Sequence, residues 1–161
     1  MLTNMQPNSF DQAVARAGEI TEIYLRSRSM ALAGRHEEAM LELLCAAHLP
    51  GETAWDSAMA AVLRLAGREA EAAAVLRRLI RSGGGQTGDY IDLAEILDGQ
   101  GHGQEALDLL RQGEDSQGND TLYQMALLRL VCLFGAREEA MQRLRALRRR
   151  ADFVELFLQA D

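Results

Sequence analysis

Glycine is concentrated in the segment RSGGGQTGDY, from Arg81 to Tyr90, and glycine-rich loops commonly bind phosphate groups. Gly83 and Gly88 have the spacing of the two glycines in a P-loop, G-x4-G-K-[ST]. However, Asp89 and Tyr90 stand where that loop needs a lysine and a hydroxyl residue, and a helical pattern precedes the segment instead of a strand. A dinucleotide-binding loop needs a preceding strand as well. We therefore predict a turn between two helices here, and no phosphate site.

Side chains that could bind a metal or act as acids and bases are scattered along the sequence. Cys45 and His48 have a C-x2-H spacing, but a zinc site of this kind needs a second pair of ligands. Two acidic pairs fall at the starts of predicted helices, where carboxylates suit the helix dipole: Glu37-Glu38 and Glu138-Glu139. The sequence therefore predicts no catalytic residues, no metal site and no cofactor, and we expect the protein not to be an enzyme.

Composition and charge limit the possible partners. The 161 residues, 48% hydrophobic and 25% charged, are typical of one soluble globular domain. The net charge of −7 repels phosphate backbones and anionic lipid, so we expect neither nucleic acid nor a membrane as a partner. All 17 basic residues are arginine, which excludes chemistry that needs a lysine. No secretory signal and no membrane-spanning apolar run is visible, so we predict a cytoplasmic protein with reduced cysteines.

A period of 33 to 34 residues is the clearest feature of the sequence. Four related segments carry a glycine at the same place: Gly34, Gly67, Gly101 and Gly135. An alanine follows each glycine after five residues, and a leucine follows each alanine after four more: Ala39 and Leu43, Ala72 and Leu76, Ala106 and Leu110, Ala140 and Leu144. Apolar residues at helical spacing flank each glycine on both sides. The pattern predicts a helical hairpin that turns at glycine and is repeated four times.

This unit resembles the tetratricopeptide repeat (TPR), a helix-turn-helix of 34 residues. The third copy carries the resemblance best, with these residues at the family's motif positions: Tyr90, Leu93, Ala94, Leu97, Ala106 and Leu110. The resemblance implies an all-α, TPR-like superhelical solenoid of about four repeats, at residues 20–52, 53–86, 87–120 and 121–150. We expect a flexible N-terminus at residues 1–8, a single domain at 9–161, and capping helices at both ends, the C-terminal one at 151–161.

In the TPR family the first helices of successive repeats line a concave groove, near positions 2, 5, 9 and 12 of each unit. Carried over to this sequence, those positions are Thr21, Tyr24, Arg28, Ala31, Ala54, Ser57, Ala61, Arg64, Gly88, Ile91, Glu95, Asp98, Leu122, Met125, Arg129 and Cys132. Eight of them form the predicted partner-binding groove: Tyr24, Arg28, Arg64, Ile91, Glu95, Asp98, Met125 and Arg129. Its mixture of apolar and charged side chains suits an amphipathic helix laid into a groove.

The resemblance implies a non-catalytic adaptor or chaperone that binds a peptide or helical segment of another protein. Small, acidic, stand-alone TPR-like proteins are typical of bacterial type III secretion chaperones, and the final repeat loosely resembles the C-terminal part of the chaperones for needle subunits. The alternative is a self-assembling scaffold, such as a homodimer. Its contact surface would be the groove or the C-terminal helix, on the latter at Phe153, Val154, Phe157 and Leu158.

Overall fold

A computed structural model describes the main chain of residues 9–46 and 52–158, and the side chains of residues 18–46 and 53–149. Within these ranges all regular secondary structure is helical, with no strand, so the all-α prediction is confirmed. The helices are α1 (Ser9–Leu32), α2 (His36–Ala46), α3 (Glu52–Leu65), α4 (Glu69–Arg81), α5 (Thr87–Gly99), α6 (Gly103–Gln112), α7 (Glu114–Gln117), α8 (Thr121–Phe134) and α9 (Arg137–Leu158).

Three of the four periodic glycines end a helix in the left-handed conformation that the hairpin turn requires. Gly34, Gly67 and Gly101 have φ values of 79°, 73° and 83°. The residue after each glycine donates its amide hydrogen back into the preceding helix, as His102 N does to the carbonyl oxygen of Leu97 at 2.8 Å. Gly135 instead has an extended backbone, with φ −98° and ψ −174°. The period therefore reflects glycine's access to positive φ in three copies out of four.

The glycine-rich segment after α4 is also a helix-to-helix turn. Gly83 has a φ of 79°, and the amide of Gly84 donates to the carbonyl oxygen of Leu79 at 3.1 Å. Asp89, in the first turn of α5, accepts a hydrogen bond from the amide of Gln86 at 2.8 Å. The carboxylate thus caps α5, at the place where a P-loop would carry its lysine. These residues join α4 to α5, as the sequence predicts.

The chain divides into two compact units, Met1–Val75 and Leu76–Asp161, and the division falls within α4. In the first unit α1, α2 and α3 each pack on the other two; in the second, α5, α6 and α8 do the same. The alanine and leucine of the period are buried in the first three copies, as Ala106 and Leu110 are. Each unit thus has a first helix, a second helix and the next first helix around one core. The assignment of residues 9–161 to a single domain stays a prediction.

The ends of the array differ from the predicted boundaries. α1 is one helix of 24 residues from Ser9, so the predicted N-terminal capping helix is continuous with the first repeat. α9 is one helix of 22 residues to Leu158, so the helix predicted at 151–161 is the end of α9 and not a separate element. Neither glycine nor proline occurs within α9, so nothing in its sequence ends the helix early. Residues 1–8 and 159–161 lie outside the described part of the chain.

The short helix α7 lies in the connection between α6 and α8, where the period predicts no helix, and Arg143 of α9 bonds to it. The Arg143 guanidinium donates to both carboxylate oxygens of Glu114, at 2.6 and 2.8 Å, and to Glu139 at 3.0 Å. This hydrogen-bonded arginine lowers the pKa of Glu114. The pKa of Glu139 is lowered mainly by its hydrogen bond from Arg111 and further by Arg143. Arg143 therefore links α7 to α9 through charged hydrogen bonds.

We expect Arg143→Met to lower the free energy of unfolding by about 1 kcal/mol at neutral pH, because the arginine is largely covered and its partners are partly exposed. The folded-state pKa values of Glu114 and Glu139 lie below the ordinary 4.5, so their contribution is complete above that pH and is lost as the pH falls through the lowered values. Urea unfolding of both proteins between pH 7 and pH 3 measures the difference. Arg149→Met, on an exposed side chain, is the control. A difference that stays constant down to pH 3 would contradict this electrostatic origin.

Candidate functional site

One face of α8 carries the most exposed set of predicted groove residues. Leu122, Met125, Arg129 and Cys132 follow one another at helical spacing, and all four are exposed, Leu122 by 66% and Met125 by 57%. The other side of the helix is buried in the core of the second unit, through Tyr123, Leu127, Leu130 and Val131. α8 is thus apolar on both sides, and two of its large apolar side chains lie in solvent on the face that the TPR resemblance assigns to the groove.

α5 lies beside α8 and adds the remaining predicted residues of this unit. Ile91 is half-buried, Glu95 is exposed, and Asp98 is partly covered. Arg129 donates to the Asp98 carboxylate at 2.8 Å, so the two helices are joined by an ion pair at one end of this face. The structure thus brings together the predicted residues of the third and fourth repeats. We call Ile91, Glu95, Asp98, Leu122, Met125, Arg129 and Cys132 the α5–α8 face.

The ion pair changes the electrostatic character that the residue types alone suggest. Asp98 and Arg129 neutralise each other within the protein, although 48% of the Arg129 side chain remains exposed. The α5–α8 face therefore carries less uncompensated charge than its residue types imply. Leu122 and Met125 then make up a larger part of its binding character. A ligand suited to it presents an apolar stripe and no large net charge.

The predicted groove residues of the first unit lie on α1 and α3, which pack on each other. Tyr24 and Arg64 are half-buried and Arg28 is exposed. Ala31, at another groove position, is only 2% exposed and belongs to the core, because this small side chain lies at the tightly packed end of α1. The first unit therefore exposes less apolar surface at these positions than the second.

The predicted self-association surface falls at the end of α9. Phe153, Val154, Phe157 and Leu158 lie within this helix, but their side chains are outside the described residues. The sequence also did not indicate that Leu144, the periodic leucine of the fourth copy, is 52% exposed, whereas its three counterparts are buried.

The described part of the chain holds no cluster of metal-binding side chains. Among residues 18–46 and 53–149, no three His, Cys, Asp or Glu side chains lie close enough together to hold a metal ion. Burial raises the pKa of Tyr123, whose hydroxyl donates to the carbonyl oxygen of Leu110 at 2.6 Å, which is a structural role. None of the helices described is both long and apolar enough to cross a membrane. Comparison of the chain with protein-family models, with curated proteins and with solved structures found no match.

Proposed function

We propose that this chain is a TPR-like repeat protein with no catalytic activity of its own, which binds an amphipathic helix of another protein on the α5–α8 face. The observation that carries this proposal is the exposure of Leu122 and Met125 on a helix whose other side is fully buried. Exposing two large apolar side chains on one face costs solubility, and such patches usually mark binding surfaces. A helical ligand would cover them with its own apolar stripe.

The arrangement within each unit supports the TPR-like assignment. A first helix, a second helix and the next first helix pack mutually in residues 9–65, and the same three kinds of helix pack mutually in residues 87–134. Two of the charged contacts also repeat. Arg77 lies ten residues after one turn glycine and pairs with Glu105, four residues after the next; Arg111 and Glu139 stand in the same relation. Stacked units of equal period produce such equivalent contacts.

The specific role that we propose is that of a cytoplasmic adaptor or chaperone, which keeps an apolar helix of its partner covered. A bacterial type III secretion chaperone is one such protein, and the sequence of the final repeat is the reason to test that role first. Met in a binding surface supports this role, because its flexible thioether adapts to different apolar ligands.

We expect Met125→Asp to weaken partner binding by about tenfold or more, because it places a charge in the centre of the apolar surface. The protein is tagged, and the partner that it captures in its native cells is identified and titrated against each variant. Leu41→Asp replaces a leucine on α2 that is 61% exposed, and serves as the matched control. Equal affinity of the two variants would count against the α5–α8 face.

Cysteine reactivity provides an independent readout on the unmodified chain. Cys132 lies on the α5–α8 face, whereas Cys45 lies on α2, and both are exposed. We expect bound partner to slow alkylation of Cys132 while leaving that of Cys45 unchanged. Protection of Cys45 alone would place the partner on the first unit and overturn this assignment.

A further inference from the structure

The four second helices of the array carry an apolar stripe at the same register, and in three of them it is buried. Counted from each turn glycine, the stripe occupies the fifth, sixth, ninth and twelfth residues. On α6 these are Ala106, Leu107, Leu110 and Gly113, all buried. On α9 they are Ala140, Met141, Leu144 and Leu147, which we call the α9 stripe. Met141 is 43% and Leu144 52% exposed, and none of the four is buried.

What covers the stripe in the preceding repeat is known in detail. α8 packs on α6, and its Tyr123, Leu127 and Leu130 have no exposed surface. The Tyr123 hydroxyl also donates to the Leu110 carbonyl oxygen at 2.6 Å. The α9 stripe has the same register and similar side chains, so an amphipathic helix fits it in the same way. Residues 148–158 continue α9 beyond the stripe and therefore do not fold back over it.

The charges around the stripe select the partner. Arg137 lies in line with it and Arg145 at its edge; both are exposed, and neither has a bonding partner in the described part of the chain. Arg145 is the tenth residue after its turn glycine, as Arg77 and Arg111 are after theirs. Those two arginines pair with a glutamate of the following repeat, at 3.4 and 2.7 Å. Both glutamates lie on the next second helix of the array. No such helix follows α9 in the described part of the chain, so the charge of Arg145 is left for a carboxylate of a docked partner.

A second copy of the chain is a poor occupant. Two α9 stripes facing each other would bring two sets of unpaired arginines together, and like charges at an interface are unfavourable. Stacking α1 of another copy on the stripe also fails, because α1 has polar residues where α8 has its core contacts. Twelve, eight and five residues before the turn glycine, α1 carries Glu22, Arg26 and Ser29, all exposed, in place of Tyr123, Leu127 and Leu130.

We propose that the α9 stripe is a second docking surface, for an acidic amphipathic helix of another protein that continues the packing of the repeats. The partner's apolar stripe covers Met141 and Leu144, and its carboxylates pair with Arg137 and Arg145. This surface goes beyond the helix-binding role proposed for the α5–α8 face, because it lies on a different helix and selects its ligand by charge.

The test uses two synthetic 18-residue amphipathic helices with identical leucine stripes, one flanked by glutamate and the other by lysine. Binding to the full chain is followed by fluorescence anisotropy. We expect the acidic peptide to bind more tightly than the basic one, with an affinity that falls as salt is raised. Leu144→Ser should lower the affinity for the acidic peptide about tenfold, because it removes a leucine that docking buries. Arg145→Glu should lower this affinity by a similar factor. Leu41→Ser, on the exposed side of α2, should leave it unchanged.

Each other outcome overturns the proposal. No binding, equal binding of the two peptides, or binding that Leu144→Ser leaves unaltered removes the α9 stripe as an acidic-helix site. Loss of binding in Met125→Asp alone assigns the peptide to the α5–α8 face instead. Sedimentation that shows a dimer of the wild-type chain, converted to monomer by Leu144→Ser but not by Leu41→Ser, assigns the stripe to a second copy. Because Leu144 and Leu41 are both exposed, thermal melts are expected to show that these variants remain folded.

Discussion

Leu110→Ala is expected to lower the free energy of unfolding by about 2 to 5 kcal/mol. Leu110 has no exposed surface, and its neighbours Leu107 and Tyr123 are equally buried. Alanine in its place loses the transfer free energy of the removed atoms and leaves a cavity, because α6 and α8 are fixed by contacts on both sides. Urea unfolding followed by far-ultraviolet circular dichroism measures the change.

Leu144→Ala is the matched control for this measurement, since Leu144 holds the same place in the fourth copy of the period. It is 52% exposed, so we expect a loss below about 1 kcal/mol. The two substitutions remove the same motif residue, so the difference between their losses of unfolding free energy measures what the neighbouring helix contributes. If both substitutions cost the same, either the stripe on α9 is covered in the isolated protein or Leu110 is not in the core.

Gly113→Ala is expected to destabilise the second unit by about 1 to 3 kcal/mol, through overpacking. A Cβ at Gly113 would lie 2.4 Å from the hydroxyl oxygen of Tyr123 and 2.6 Å from a ring carbon of Tyr90. The two rings pack edge to face with centroids 6.0 Å apart, and the Tyr123 hydroxyl is held by the Leu110 carbonyl oxygen. Since Tyr123 is fully buried, it has no free space into which it could move. Thermal unfolding, compared with wild type, measures the effect.

Gly99→Ala serves as the control for this substitution. Gly99 ends α5, and a Cβ there would have no atom within 4 Å. Alanine in a helix has a less flexible unfolded state than glycine, so we expect stability to be unchanged or to rise by about 0.5 kcal/mol. Destabilisation by both substitutions would show that backbone conformation, and not the contact with the two tyrosines, makes Gly113 necessary.

Local sequence predicted most of the helices, the turns at the periodic glycines and the turn at RSGGGQTGDY. The turn glycines mark the ends of first helices because glycine alone adopts positive φ without strain, as Gly34, Gly67 and Gly101 do. The segment RSGGGQTGDY was correctly assigned to a turn because Asp89 and Tyr90 exclude a phosphate loop. The helix α7 was missed, since four residues between Gly113 and Gly118 carry no periodic apolar signal.

The residues of the candidate site were carried over from the groove positions of the TPR family, and the packing of the helices sets their environment. Leu122, Met125, Arg129 and Cys132 share one face of α8 by helical geometry, which sequence determines. Arg129 forms an ion pair with Asp98, 31 positions earlier, because α5 packs beside α8. Likewise Ala31 was placed in the groove by its position and is in the core. Position in a helix gives direction, whereas the neighbouring helix decides burial.

The sequence alone determined that the described part of this protein is all-helical and that three of its hairpins turn at periodic glycines. These are local properties, because backbone conformation and helical spacing act over a few residues. Only the tertiary structure decided that Leu110 is buried while Leu144 is exposed, and that Arg111 is paired while Arg145 has no partner among the described residues. The four copies of the pattern are equivalent in sequence, and they differ in what lies next to them. Burial and ion pairing require a neighbour in space, and that neighbour lies a full repeat away in the chain.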